Sequence, residues 1–347
     1  MCTRVLNNID VSHVTVGRCM DWEFMLPAYV YCQPANRYCQ GLGSEQALEL
    51  GIDKAHILTW QARYASVTTQ VGEEGVFGTD DGINEAGLVV NVLYDAGCDY
   101  GAVPSSGDFH ALSVLRWGQF ILDGFATVGS VLEYFKCHHI HLVSESVPGD
   151  ESSGAELHVA LSDAKGDSAV IELHDGKMVF YENPQYTVVT NQPSYETQLV
   201  MSQYWFYQWG LSEAINDNPV YTCPGGDTPV QRFQRACFYR YMHRTQEGRV
   251  DRLMQVRSMI NTCAVPLGFQ ADNHGGDDSP YTLWLNLADS QQLRYYFLFT
   301  DRLGGLEFDV KGVTETKRLK VAGEGATTLS HGRANEMMQP CAPLFED

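Results

Sequence analysis

Short runs of alternating apolar and polar residues dominate the first hundred positions. Cys2 to Leu6, His13 to Met20, Tyr29 to Cys32, Ala65 to Val71 and Gly87 to Tyr94 are rich in β-branched and aromatic residues and sit between turn signals. Such runs predict strands. The period then changes. Leu112, Leu115 and Leu122, flanked by Val114 and Ile121, recur at helical spacing, and Val128 to Phe135 predicts a second helix. Strand patterns return at Leu157–Leu161, Ala169–Leu173, Met178–Tyr181 and Tyr186–Thr190, with Asp175-Gly176 as a hairpin turn. Residues 195 to 210 read as an aromatic-rich helix. Thr228-Pro229 pairs a capping residue with proline at the first helical position, and Phe233, Cys237 and Tyr241 follow as a buried stripe. A helix near 250 to 261 precedes strands at Tyr281–Leu287 and Gln292–Thr300.

Strands, a helix pair, strands, helices, strands: this order is not the strict alternation of a parallel sheet. It predicts an α+β fold, two antiparallel sheets face to face with helices outside, in four α/β/β/α layers. There is no internal repeat and no linker that divides the chain, so 1–347 is expected to be one domain, with 311–347 as a C-terminal extension.

Composition narrows the field. With 44% hydrophobic residues in 347 positions, the chain can bury a large core without disulfides or metal. A formal net charge of −20 argues against a nucleic-acid partner. No apolar run is long enough for a membrane span. With no leader ahead of Cys2, the chain as numbered is expected in the cytoplasm, or in the periplasm if a signal peptide has been trimmed. Ten cysteines contain no C-x-x-C pair, so neither a zinc knuckle nor a redox motif is expected. Neighbouring histidines in Cys137-His138-His139-x-His141 point in different directions, and Asp272–Asp278 lacks the spacing of a calcium loop. No metal or cofactor is expected.

One candidate nucleophile stands out. Residue 2 is a cysteine, and loss of Met1 would leave it with a free α-amine. Such an amine titrates at about 7.7–8.0, so it can take the thiol's own proton near neutral pH. Met-Cys starts are common by chance, however. The second feature is Gly17-Arg18-Cys19-Met20-Asp21-Trp22, at the end of the second strand. A hairpin return would bring Arg18 and Asp21 beside Cys2, a cation for the thiolate and a carboxylate for the amine; an ordinary ion pair at a strand end is the plainer alternative.

Together these segments resemble the choloylglycine hydrolase and penicillin V acylase family. The likeness continues through Asn84-Glu85-x-Gly87-Leu88 with Asn91, Thr190-Asn191-Gln192-Pro193, and Pro224-Gly225 to Arg232-Phe233. Trp22 and the run Leu88 to Leu93 look closer to its Gram-negative branch. The resemblance implies an N-terminal-nucleophile fold and hydrolysis of a linear amide through a thioester. It implies Cys2 as nucleophile and base, Asp21 as holder of the amine, and Arg18 and Arg232 as the charged network. The side-chain amide of Asn191 and the backbone N–H of Asn91 are implied as oxyanion donors. Trp22, Phe24 and Tyr94 are expected to line an acyl pocket. The substrate is expected to be a small acyl amide: penicillin V, a conjugated bile salt, or an acyl-homoserine lactone. A binding protein without activity on the same fold is the alternative from another class. Residues 193–222 correspond to an excursion tied to tetramers in the family, so a homo-oligomer is expected.

Overall fold

In the computed structural model, residues 2–73, 75–243, 251–269 and 279–346 are described. Met1 and the Asp272–Asp278 segment, both weighed in the sequence, lie outside the described residues. Two large sheets face each other. One has seven strands in the order Val188–Val189, Cys2–Asn7, Thr15–Trp22, Tyr281–Asp289, Arg294–Phe299, Gly305–Asp309, His331–Arg333. All pairings in it are antiparallel except the last. The other has nine: Lys177–Glu182, Ser168–His174, Leu157–Ser162, Val89–Tyr94, Val76–Asn84, Ser66–Glu73, Ala28–Gln33, Lys317–Ala322, Gln339–Pro340. The expected C-terminal extension thus supplies edge strands to both sheets.

Helices Val114–Gly124 and Val128–Cys137 lie on the nine-stranded side, Pro229–Tyr241 and Arg252–Asn261 on the other. This is the expected α/β/β/α sandwich. Each of three helices has a side-chain cap: Ser113, Thr127 and Thr228 each accept from a first-turn N–H, and Thr228 is the cap expected from the sequence. Asp175 and Gly176, with φ of 51° and 70°, make the tight hairpin before Lys177–Glu182. No described helix is long and apolar enough to cross a membrane.

Strand Val76–Asn84 escaped the sequence reading. It carries Gly78, Gly82 and the paired acids Asp80 and Asp81, and it is a central strand of the larger sheet. The glycines are needed because the helix Val114–Gly124 presses on it. A Cβ on Gly82 would stand 2.8 Å from Leu122 and 2.6 Å from Thr68, closer than packing permits.

The pleat of the first strand decides where its side chains go. Cys2 and Arg4 face the opposite sheet, where Arg4 donates to the Leu161 carbonyl and the Ser168 hydroxyl. Thr3 and Asn7 face the helices, touching Arg232 and Gln255. The nucleophile candidate is thereby aimed between the sheets, and its backbone toward the helix layer.

Candidate active site

Six pairs of residues hold Cys2–Asn7 against Thr15–Trp22, with Cys2 opposite Met20. That register puts Arg18 within reach of residue 2, and Arg18 Nη2 donates to Cys2 Sγ at 3.1 Å. The same nitrogen bonds the Val92 carbonyl at 2.9 Å, and Nη1 pairs with the Asp80 carboxylate. Burial opposes a charge on this guanidinium. Asp80, Cys2 and Asp81 outweigh it and lift Arg18 above its ordinary range, so the cation is permanent. A fixed cation beside a sulfur favours the thiolate.

Arg232, on the first turn of its helix and fully buried, works on the other side of Cys2. It donates from Nη1 to the Cys2 carbonyl at 2.6 Å and to the Thr3 hydroxyl, and from Nη2 to Asn191 Oδ1 at 2.8 Å. Its Nη1 lies 3.6 Å from Asp21 Oδ2, while Asp21 Oδ1 accepts from the Thr282 hydroxyl at 2.6 Å. Asp21 therefore joins the cluster from the helix-facing side of its strand, through Arg232.

Asn191 follows the short strand that edges the same sheet. Its Oδ1 accepts from the Cys2 backbone nitrogen at 2.8 Å, and its Nδ2 donates to the Tyr94 carbonyl at 2.6 Å. A carboxamide nitrogen carries two hydrogens, so one remains for a ligand atom beside Cys2. Gln198 clamps the segment by donating to the Asn191 and Gln192 carbonyls.

A cavity of about 500 Å³, its mouth included, opens beside the Cys2 sulfur. Trp22, Leu26, Val71, Tyr94, Leu115 and Leu157 wall it, with Arg18 and Asp80 at the polar end. Trp22 and Tyr94 meet edge to face with centroids 5.6 Å apart.

The structure thus gathers Cys2, Arg18, Asp21, Asn191 and Arg232 in one cluster and puts Trp22 and Tyr94 on its cavity. Two expectations do not fit. Asn91 is absent from the cavity wall: its backbone runs in register between Asp81 and Ala160, and its Nδ2 donates to Asp81 Oδ1 at 2.6 Å. The residue that meets Asn191 is Tyr94, three positions on. Phe24 is 40% exposed and also off the cavity, because the strand ends at Trp22 and the chain bends outward.

Asp80 was missed because its strand was missed. The neighbouring Asp81 carboxyl is pushed up to about 8, chiefly by burial and then by Asp80, against the pull of Arg18 and the Asn91 amide. Burial pushes Cys32 up to about 12 and holds Cys19, Cys237 and Cys263 above the thiol range. The Cys137–His141 residues do not converge: His138 stacks on Tyr134, and His141 packs against Phe109. Among the described residues, the metal-type grouping that does converge is Asp95, His158 and Glu172, which no sequence motif announced.

Comparison with known proteins agrees with this geometry. Residues 2–304 match the family described as linear amide C–N hydrolases, choloylglycine hydrolase family. A penicillin V acylase of Pectobacterium atrosepticum is 29% identical over 366 residues, covering 99% of this chain and 91% of its own. The solved penicillin V acylase of Agrobacterium tumefaciens is 28% identical, with a TM-score of 0.81 over 99% of this chain and 98% of that one. A conjugated bile acid hydrolase of Clostridium perfringens, studied as a variant, shares the fold at 20% identity, with a TM-score of 0.75 over 94% and 99%.

Proposed function

Because the chain belongs to the choloylglycine hydrolase family of linear amide C–N hydrolases, we propose that it acts as a penicillin V acylase-like amidase, with Cys2 as its nucleophile. The observation that carries this reading is the apolar cavity at the Cys2 sulfur. Its Trp22 and Tyr94 rings suit a compact aryl or alkyl acyl group, and Arg18 stands where the scissile carbonyl would meet the thiol. Both penicillin V acylase relatives cover almost the whole chain.

The chemistry follows from the contacts. Once Met1 is removed, the Cys2 nitrogen is an amine, and it takes the proton from its own thiol. The sulfur bonds to the amide carbon, and the oxygen becomes an oxyanion that the spare Asn191 N–H stabilises. Collapse breaks the carbon–nitrogen bond, and the departing amine leaves with the proton held by the ammonium. Water then attacks the thioester, gives a proton back to the α-amine and expels the thiolate, releasing the acid. Arg18 stabilises the negative charge on the sulfur as it attacks and as it leaves. Arg232 and Asn191 keep the amine aimed, backed by Asp21.

The test is intact mass together with turnover of penicillin V, glycocholate and a long-chain acyl-homoserine lactone. Loss of Met1 with preferred turnover of penicillin V supports the proposal. Preference for glycocholate would instead make the enzyme a bile-salt hydrolase, and the lactone an acyl-lactone acylase. Retention of Met1 with an inert protein would remove the amine base and overturn the mechanism. We also propose that the exposed apolar face of Tyr195–Gln208, with Val200, Met201 and Tyr204, meets a second copy of the chain.

A further inference from the structure

Beside the Thr190–Asn191 segment, three buried ligand-type residues come together. His158 lies on Leu157–Ser162, Glu172 on the neighbouring Ser168–His174, and Asp95 directly after Val89–Tyr94. All are at most 2% exposed. His158 Nδ1 is 3.6 Å from Glu172 Oε1 and 3.8 Å from Asp95 Oδ2, and the three atoms lie within 4.8 Å of one another. The other ring nitrogen, Nε2, bonds the Thr190 carbonyl at 2.9 Å.

This arrangement has a donor problem. With Nε2–H given to Thr190, a neutral His158 turns a lone pair toward two carboxylate oxygens. His158 Nδ1 and Asp95 Oδ2 are both buried without a hydrogen-bond partner. Glu172 Oε1 has the Tyr195 N–H at 2.8 Å, and its Oε2 has His174 at 2.9 Å. Asp95 Oδ1 has the Gly97 N–H at 3.1 Å. Among the described residues neither carboxylate is paired with lysine or arginine. His174 serves Glu172, whereas Asp95 Oδ2 and His158 Nδ1 face each other across 3.8 Å, longer than a hydrogen bond. Buried polar atoms left without a partner are costly.

We propose that Asp95, His158 and Glu172 bind one divalent metal ion, zinc by its donor set. One imidazole nitrogen and two carboxylate oxygens are ligands zinc accepts, and atoms held at about 2.0–2.2 Å from one tetrahedral zinc stand about 3.3–3.6 Å apart. Small inward shifts of the two carboxylates from the observed spacing would close the shell, with water in the fourth position. The Nε2–H to backbone carbonyl bond is the support that metal-bound histidines use to fix their ring and tautomer. Such an ion neutralises the carboxylate pair. It also ties the end of Val89–Tyr94 to the Thr190 backbone, and so holds together the two segments whose Tyr94 carbonyl and Asn191 amide meet at the site. Its role is structural, and its binding does not depend on which substrate the enzyme cleaves.

The test is zinc content by plasma mass spectrometry on protein purified without chelator, then zinc titration by calorimetry after stripping with EDTA. The expected result is about one equivalent per chain, with melting temperature lowered by EDTA and restored by zinc. Asp95→Asn should weaken zinc by more than the about 10–100-fold that loss of a supporting partner costs. It should also remove the zinc-dependent thermal shift. Should that variant fail to fold, the wild-type stoichiometry and its reversible shift decide. Wild-type protein that neither contains nor takes up zinc would overturn the proposal. Unchanged zinc binding by folded Asp95→Asn would overturn it as well.

Discussion

Among the described residues, two places set an arginine between a cysteine and an aspartate, and one of them has the surroundings of a reactive centre. At the first, Arg18 gives Nη1 to Asp80 and Nη2 to Cys2 Sγ at 3.1 Å. At the second, Arg37 gives Nη2 to Asp123 at 2.6 Å and Nη1 to Cys39 Sγ at 3.3 Å. The difference lies in where the carboxylate stands. Cys39 Sγ is itself 3.8 Å from Asp123 Oδ2, and burial followed by that charge pushes its thiol up to about 12. Asp80 bonds Nη1 of its guanidinium and the sulfur bonds Nη2, with no hydrogen bond between Asp80 and the sulfur among the described residues. Cys2 also has the Asn191 carboxamide on its nitrogen and an apolar cavity at its sulfur, whereas Asp123 is enclosed by Gln119 and Trp60. An arginine beside a thiol is therefore not enough; its counter-ion must stay off the sulfur.

The comparison breaks most visibly at the sulfurs. Cys2→Ala should lower turnover by at least about 1,000-fold, while Cys39→Ala stays within about twofold of wild type per folded molecule. Steady-state kinetics on the substrate chosen above measures both. Near-normal turnover in Cys2→Ala would sink the nucleophile assignment.

Next come the arginines. Arg37→Leu strands the fully buried Asp123 and should cost about 3–5 kcal/mol in urea denaturation, with the activity of the folded fraction retained. Arg18→Leu should lose activity in the folded fraction, since Asp80 and the sulfur both lose their cation. Equal activity in the two variants would dissolve the distinction.

Asn191→Ala sharpens it from the other side of Cys2. Loss of an oxyanion donor should reduce kcat by about 10²–10³, with a smaller change in KM, because the donor acts on charge that develops during the reaction. A change confined to KM would reassign Asn191 to substrate binding.

The last prediction concerns Asp81, the second carboxyl near Arg18. Burial raises its carboxyl to about 8 in the fold, well above the ordinary carboxylate range. A raised carboxyl stabilises the fold below its unfolded pKa, and that stability is lost as pH rises through about 8. Asp81→Asn has no such proton to lose. Relative to wild type it should gain stability between pH 5 and pH 9, by urea denaturation at each pH. Parallel pH curves would mean Asp81 is ionised throughout.

Much of this was readable in advance, for reasons that differ from element to element. The outer helices carry caps and stripes that local physics fixes, and Asp175-Gly176 has the dihedral freedom its turn needs. The Val76–Asn84 strand was hidden because its glycines serve a neighbouring helix, a requirement that exists only after packing. Cys2, Arg18, Asp21, Asn191 and Arg232 come from segments up to 230 residues apart. Their meeting was legible through family motifs and not through spacing. Asn91 and Tyr94 lie three apart on one strand, and a likeness of sequence cannot tell which one reaches the cavity. Phe24 shows the same limit at a strand's end. His158, Asp95 and Glu172 share no motif at all, since strand pairing alone brings them together.

One further consequence comes from the first strand's pleat, which aims Cys2 across the gap between the sheets. The thiol belongs to one sheet, while Asp80 and the Val92 carbonyl that set its arginine belong to the other. Neither sheet alone carries a working centre. During folding, competence must wait for contacts of very high sequence separation, the slowest kind to close. Recovered turnover is thus a late clock for the chain, one that starts only when the two halves of the sandwich have docked.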